Sequence, residues 1–460
     1  MKPETVIPMA MAAHEAKDKK RVAVTTLGCK VNQYESAAFI SDLAESAGVE
    51  IVPFSAVAEV YVINTCAVTA KAGAQSRQLI RRAAKNPGAR LVVTGCYAQV
   101  AAEEIGRLTD RPLTIVGNCC KERVVEEVVR GPAAAGASYL GEIGACNRVA
   151  PLTVTRFERR TRAVLKIQDG CSQGCSYCIV PLSRGPSRSV EPERVLAQAE
   201  IFAAQGFREV VLTGIHLGHY GLDLAPALSL VELLKLLLAR GFPLRYRISS
   251  LEPSEIGPEL LELLAGQESL LPHLHIPLQS GDDRILRAMN RPYRSADFAG
   301  VIRRCLAALP DAAIGVDVLA GFPGEDETAF RNTYELLADL PISYLHVFPY
   351  SRRPGTRAAD LPQQVSGRIK DERTARLRRL DRQKRQEFYR RQLGSVRQVL
   401  VEGGAKSGGL LRGFSENYIP VLLDAPAALI NQIVPVRLAK IRGEAVWAVP
   451  LDKREAGHAG

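Results

Sequence analysis

The sequence predicts an α/β protein in three consecutive parts: an open parallel α/β sheet, a partial barrel of six βα units, and a small β-barrel. Three observations predict it. Short β-rich runs alternate with helix-period segments as far as Val116, a second strand–helix series runs from Ala163 to Pro349, and a long charged helical stretch then gives way to short strands separated by Gly-rich turns. At 460 residues the chain is also too long for one ordinary domain. The boundaries read from these changes are 20–132, 155–391 and 392–455.

In the first part, Arg21 to Thr26, Glu59 to Asn64, Arg90 to Thr94 and Leu113 to Val116 read as strands, and Glu35 to Ala47, Lys71 to Ala84 and Val100 to Leu108 as helices. Strictly alternating strands and helices imply a parallel, doubly wound sheet. The Gly, Pro and Ala of 131–137 read as a linker. The second series comprises strands at Ala163 to Gln168, Glu209 to Thr213, Tyr246 to Ser249, His273 to Pro277, Ile314 to Ala320 and Tyr344 to Pro349. A barrel of this kind works at the C-terminal ends of its strands. Arg368 to Arg391 reads as a helix, and Arg397 to Glu402, Tyr418 to Leu423, Gln432 to Lys440 and Ala445 to Val449 as the strands of the last part, of the size class of oligonucleotide-binding barrels.

Hydrophobic residues make up 47% of the chain and charged residues 24%, a mix that excludes a disordered or fibrous protein. The longest apolar stretches, such as Leu230 to Ala239, are interrupted by charges and too short to span a bilayer, so no membrane association is expected. Met1 to Lys20 lacks the apolar centre of a secretory signal and reads as a frayed tail, which places the protein in the cytoplasm. The net charge of +11 suits a polyanionic partner. From Ser351 to Leu400 fifteen Lys or Arg stand against five Asp or Glu, so nearly all of the excess is local. A solvated helix face with ordinary ion pairs is the competing account of that segment. Ten cysteines in a reducing compartment are not expected to form structural disulfides, so their spacing is read for metal chemistry.

Cys171-Ser-Gln-Gly-Cys175-Ser-Tyr-Cys178 directly follows the first strand of the second series. Three thiolates at this spacing can hold three irons of a cubane cluster and leave the fourth iron open to a substrate. Zinc is the alternative, but structural zinc takes four ligands, commonly in CxxC pairs, and no fourth Cys or His lies near in sequence. A second set is dispersed: Leu27-Gly28-Cys29-Lys30, Asn64-Thr65-Cys66 and Thr94-Gly95-Cys96-Tyr97 each put a cysteine just past a strand. Strand ends of an open parallel sheet share one edge, where ligands bind, so these three cysteines are expected to converge on a shared cluster. Singly, each would read as a buried core thiol. Cys119, Cys120, Cys146 and Cys305 are read as non-ligands.

The CxxxCxxC loop at the head of a six-strand βα series resembles the radical S-adenosylmethionine (SAM) superfamily, and both cysteine sets in this order resemble its methylthiotransferase family. The resemblance covers nearly the whole chain and implies a radical SAM barrel in the middle and a TRAM-type barrel at the end. It implies two [4Fe-4S] clusters, one held by Cys29, Cys66 and Cys96 and one by Cys171, Cys175 and Cys178, with SAM on the open iron of the latter and Tyr177 packed nearby. One electron would cleave SAM to a 5′-deoxyadenosyl radical that removes hydrogen from carbon. The segment from Thr26 to Ser36, with Lys30-Val31-Asn32 after its cysteine, is similar to the branch that modifies N6-threonylcarbamoyladenosine beside the anticodon of tRNA. Other branches act on isopentenyladenosine or on a ribosomal protein; a non-enzymatic iron–sulfur RNA-binding protein is a more distant alternative. The anticodon stem-loop of tRNA and an electron donor such as flavodoxin or ferredoxin are the implied partners.

Ile276 to Gly281, Gly321 to Glu325 and Tyr350 to Thr356 also resemble the family and fall at strand ends, though turns would use the same Gly and Pro. Gly214 is a candidate for close approach by the cofactor. His216, His219, His273, His275 and His346 lie at or beside strand ends and are read as hydrogen-bonded structural residues, so no catalytic side chain is named beyond the cluster ligands. Phe414 and Tyr418 either stack on bases or pack the core.

Overall fold

The computed structural model describes residues 19–130, 136–157, 160–404 and 409–451. The N-terminal tail up to residue 18 and most of the 131–137 linker lie outside them. The first part contains β1 (Lys20–Thr26), α1 (Lys30–Glu45), β2 (Val49–Val52), β3 (Val60–Thr65), α2 (Ala70–Ala84), β4 (Arg90–Gly95), α3 (Cys96–Val100), α4 (Ala102–Gly106), β5 (Leu113–Val116), α5 (Arg123–Val129) and β6 (Ser138–Tyr139). All six strands are parallel, in the order β2-β1-β3-β4-β5-β6. This is a doubly wound order whose direction reverses between β1 and β3, which opens a crevice outside their C-terminal ends.

The middle part contains β7 (Arg162–Lys166), β8 (Gln168–Asp169), α6 (Val180–Arg184), β9 (Arg188–Ser189), α7 (Pro192–Ala204), β10 (Glu209–Thr213), α8 (Leu230–Ala239), β11 (Arg245–Ile248), α9 (Pro258–Gly266), β12 (His273–His275), α10 (Asp283–Ala288), α11 (Ser295–Ala308), β13 (Ala313–Ala320), α12 (Glu327–Asp339), β14 (Tyr344–Pro349) and α13 (Gly367–Gln392). Strands β7, β10 and β11 form one parallel sheet and β12, β13 and β14 another. Parallel bridges Tyr246↔Leu270 and Ser250↔His275 carry the curve from one to the other, giving the expected six-strand partial barrel. Its core is continuous with that of the first sheet: Tyr34 and Phe39 of α1 belong to the same cluster as Leu165, Val210 and Ile314.

The last part is a closed barrel of β15 (Val396–Gly404), β16 (Leu411–Ser415), β17 (Pro420–Leu423), β18 (Ile433–Arg442) and β19 (Ala445–Pro450), as expected of a TRAM-like module. Helix α13 holds it in place: Leu377 and Leu380 are buried in the half-barrel core, and Phe388 and Tyr389 in the core of the closed barrel.

Several local expectations shift. Helix α1 starts at Lys30, five residues before the predicted start, because Val31 and Asn32 are buried although their intrinsic helix propensity is poor. The helix expected over Val100 to Leu108 is two short ones, and β2, β6 and β16 have no counterpart in the sequence reading. The expectation of no structural disulfide is corrected. Cys119 and Cys146 are joined, since the turns that carry them bring their Cα atoms to 6.0 Å, within disulfide range. Cys120 and Cys305 are free thiols. No helix among the described residues is long and apolar enough to cross a membrane.

Two cysteine trios and the cavity beside Cys29

Cys29 caps the start of α1 after β1, Cys66 follows β3, and Cys96 opens α3 after β4, so the three cysteines stand at the crevice of the sheet. Two glycines let them meet. A Cβ on Gly28, whose φ is +99°, would lie 2.9 Å from Cys66 Sγ, and one on Gly95, at φ +94°, would lie 2.4 Å from the Thr65 carbonyl oxygen. The loops are locked by polar side chains. Asn32 Nδ2 donates to the Leu27 and Thr65 carbonyls at 2.7 and 3.0 Å, and Thr65 Oγ1 donates to the Thr94 carbonyl at 2.6 Å. Burial pushes the Cys66 thiol up to about 11, and neighbouring Cys96 and Cys29 add to the shift.

Cys171, Cys175 and Cys178 occupy the loop after β8. Gln168 ties this loop to the one after β10, donating to the Gly170 carbonyl at 2.8 Å and accepting from Ile215 N at 2.8 Å. His216 Nδ1 lies 3.3 Å from Cys171 Sγ, and Arg291 Nη1 donates to Cys175 Sγ at 3.3 Å. Burial pushes the Cys178 thiol up to about 12, with Cys175 and Cys171 contributing. Thiols as basic as Cys66 and Cys178 are neutral near pH 7 and would become thiolates on meeting a cation.

Two other groups have ligand atoms within 4.8 Å of one another, His216–His219–Glu255 and His275–Asp317–His346.

Behind the first trio lies a buried charge network. Glu35 of α1 accepts from Arg184 Nη1 at 3.1 Å and Lys166 Nζ at 3.3 Å and also pairs with Lys121, while Asp169 accepts from Arg184 at 2.7 Å. Burial pushes the Glu35 carboxyl up, but Arg184, Lys121 and Lys166 outweigh it and hold it well below the ordinary range. Three cations face two carboxylates, so one positive charge is left over beside Cys29 and Cys96, and Arg184 Nε is buried without a hydrogen-bond partner. A buried uncompensated charge is costly. A [4Fe-4S] core on three thiolates carries net negative charge, so the donor set and its surroundings fit that group.

Cys29 of the first trio lines a cavity of about 370 Å³, and the Thr213–Gly214 part of its wall leads into the loop that Gln168 ties to the second trio. Gly28, Cys29 and Lys30 close one side. Thr213, Gly214, Ser249 and Ser250 at the strand ends form another, and Tyr344, Phe348 and Tyr418 supply aromatic faces. The Ser249 hydroxyl is buried without a partner, as suits a site for a polar ligand. An outer cleft of about 250 Å³ continues past Lys30, Arg160, Arg162 and Arg412.

The histidines are hydrogen bonded or stacked as expected. His216 Nε2 pairs with Glu255, and His219 stacks on His216. His273 Nε2 meets Tyr344 Oη at 2.7 Å, and Asp317 accepts from His275 at 2.7 Å and from His346 at 3.3 Å. Gly214 lines the cavity. Of the three resembling segments, Gly321–Glu325 is tied to α13 through Glu325 and Arg373, and Tyr350–Thr356 leads to Ala358, whose N–H donates to Ser176 in the cysteine loop. Phe414 and Tyr418 stack on each other at 5.0 Å beneath Arg162, and Tyr418 alone reaches the main cavity. Sequence reasoning missed Arg184, Arg291 and Asp317, because no spacing marks them out from the other charges of the chain.

The Radical SAM superfamily matches residues 165–337, and the uncharacterized protein family UPF0004 matches residues 21–117. Threonylcarbamoyladenosine tRNA methylthiotransferase MtaB of Aquifex aeolicus is 40% identical, over 87% of this chain and 96% of its own. Its Bacillus subtilis counterpart is 39% identical, over 91% and 94%. The chain belongs to the methylthiotransferase family of radical SAM enzymes. The family's cofactors are two [4Fe-4S] clusters and SAM. A tRNA-2-methylthio-N(6)-dimethylallyladenosine synthase of Maricaulis maris is 30% identical to this methylthiotransferase over 95% of the chain and 99% of the relative. Among solved structures, the radical SAM methyltransferase TsrM from Kitasatospora setae shares the fold, with a TM-score of 0.54 and 17% identity over 74% of this chain and 75% of that one.

Proposed function

We propose that this methylthiotransferase replaces the C2 hydrogen of N6-threonylcarbamoyladenosine in tRNA with a methylthio group, in the cytoplasm, drawing electrons from a donor of the flavodoxin or ferredoxin type. Relatives named for that nucleoside match at 33–40% identity, against 30% for the dimethylallyladenosine relative. The observation that carries the reading is the shared cavity, bordered by Cys29 of the first sheet, by the strand ends beside the second trio, and by Tyr418 of the closed barrel.

Cys171, Cys175 and Cys178 would hold one cluster and Cys29, Cys66 and Cys96 the other. When bound, these groups and SAM supply reductive cleavage of the sulfonium and the sulfur that is delivered. The chain's own residues position and shield. Asn32 and Thr65 fix the loops of the first trio, and Arg184 balances its charge. Tyr344, Phe348 and Tyr418 offer flat faces to an unstacked base, the usual way an RNA loop is read. Arg160 and Arg412 of the outer cleft, with the exposed Arg378, Arg379 and Arg382 of α13, lie where phosphates would be met. The three parts, 20–132, 155–391 and 392–455, would then serve as sulfur, radical and RNA-binding units.

Mass spectrometry of tRNA nucleosides from a strain lacking the gene tests the reading. Loss of 2-methylthio-N6-threonylcarbamoyladenosine is expected, with rescue by the wild-type gene and none by Cys29→Ala, Cys66→Ala or Cys96→Ala. An unchanged nucleoside profile in the deletion overturns the tRNA substrate, and rescue by all three variants overturns the second cluster.

A further inference from the structure

Three cations border the main cavity, and two of them are already engaged. Arg162 Nε donates to Glu402 at 2.6 Å, and Arg247 donates to Glu209 at 2.8 Å and to the Glu416 and Ser415 carbonyls. Lys30 is different. It is exposed to the cavity, its ammonium belongs to no ion pair or hydrogen bond among the described residues, and it directly follows Cys29. Asp317, the carboxylate on the opposite wall, is taken by His275 and His346 and so is not free to neutralise it. The remaining walls include the rings of Tyr344, Phe348 and Tyr418. A planar base with an anionic group on its edge satisfies both features.

We propose that Lys30 is the specificity residue of the site and binds the carboxylate of the threonylcarbamoyl group of the substrate base. The inference rests on the threonylcarbamoyladenosine reading. A backbone phosphate offers the same anionic chemistry, but Arg160 and Arg412 line the outer cleft and not the main cavity, whereas Lys30 lines both and adjoins the cysteine beside which the base must sit. A charge-assisted hydrogen bond in a partly desolvated cavity is worth roughly 10- to 100-fold in affinity.

The test uses cluster-reconstituted full-length protein and anticodon stem-loops carrying the threonylcarbamoyl acid or its primary amide, with affinity read by fluorescence anisotropy. Wild type is expected to prefer the acid by roughly 10- to 100-fold. Lys30→Met should bring the acid to the level of the amide and leave amide binding unchanged, and Lys30→Arg should keep most of the preference. An acid-to-amide ratio unchanged in Lys30→Met overturns the proposal. So does equal weakening of both stem-loops, which would assign Lys30 to a phosphate. Methylthiolation of the acid stem-loop by wild type is measured alongside. If it is absent, the substrate reading fails; if it is present with an unchanged ratio, the inference alone fails.

Discussion

The two junctions of the molecule use the same charges to different ends. Between the first sheet and the half-barrel, Glu35 and Asp169 face Lys121, Lys166 and Arg184. Between the half-barrel and the closed barrel, Glu209 and Glu402 face Arg162, Arg245 and Arg247. In each, three cations meet two carboxylates. At the second junction the surplus is absorbed. Arg245 and Arg247 donate to the carbonyls of Gln398, Phe414, Ser415 and Glu416, and Arg162 and Arg247 lie 4.7 and 4.9 Å from the centres of the Phe414 and Tyr418 rings. At the first, Arg184 keeps an unpartnered Nε and its field falls on Cys29 and Cys96. A closed junction docks a module. An open one leaves charge for a ligand that folding alone does not supply.

Neutralising the central carboxylate of each junction is the sharpest break of this comparison. Glu35→Gln takes from Lys121 its carboxylate and leaves Lys166 and Arg184 sharing Asp169, and should cost about 3–5 kcal/mol in urea unfolding. Glu209→Gln should cost about 1–3 kcal/mol, because its arginines keep carbonyl acceptors and aromatic faces. Equal losses would erase the distinction drawn here.

Acid should release the second junction in a defined window. Burial pushes the Glu209 carboxyl up, but Arg247 and Arg245 outweigh it and bring it to about 2, against 4.5 for an ordinary Glu. A folded-state value below the unfolded one means that its stabilisation is whole above pH 4.5 and is lost as pH falls from 4.5 through 2. Energy transfer between dyes on the closed barrel and the half-barrel should fall across that window in wild type and show no such step in Glu209→Gln.

The smallest effect concerns cations outside both junctions. Arg373 of α13 is buried against Glu325, and Lys384 donates to the Leu340 carbonyl, so part of the basic stretch serves the fold. Arg378 and Arg382 are exposed and belong to no ion pair among the described residues. The double variant Arg378→Ala, Arg382→Ala should lower the salt dependence of tRNA binding by about two in slope, with a few-fold loss of affinity and no change in stability. An unchanged slope would return the whole helix to a structural role.

Much of this was legible beforehand. Strand patterning placed β5, β10 and β14 to the residue; β5 and β10 are fully buried, and such strands of parallel sheets carry apolar runs. The short β6 escaped because two residues are too few to show a period, and β2 because it is mostly unburied and broken by Glu50. The basic excess near α13 was visible as a count, but not its division between buried Arg373 and exposed Arg378, which depends on which face meets the half-barrel.

By itself the sequence determined the order of the three parts and the two sets of three cysteines, since these follow from local periodicity, short spacings and positions just past strands. The tertiary structure alone decided what surrounds them. Arg184 and Glu35 stand 149 positions apart, Arg291 and Cys175 stand 116 apart, and Lys30 becomes an unpaired cation only where α1 meets the half-barrel and the closed barrel at one cavity. Electrostatic partnership depends on distance in space, and chain folding sets that distance with no trace in local pattern.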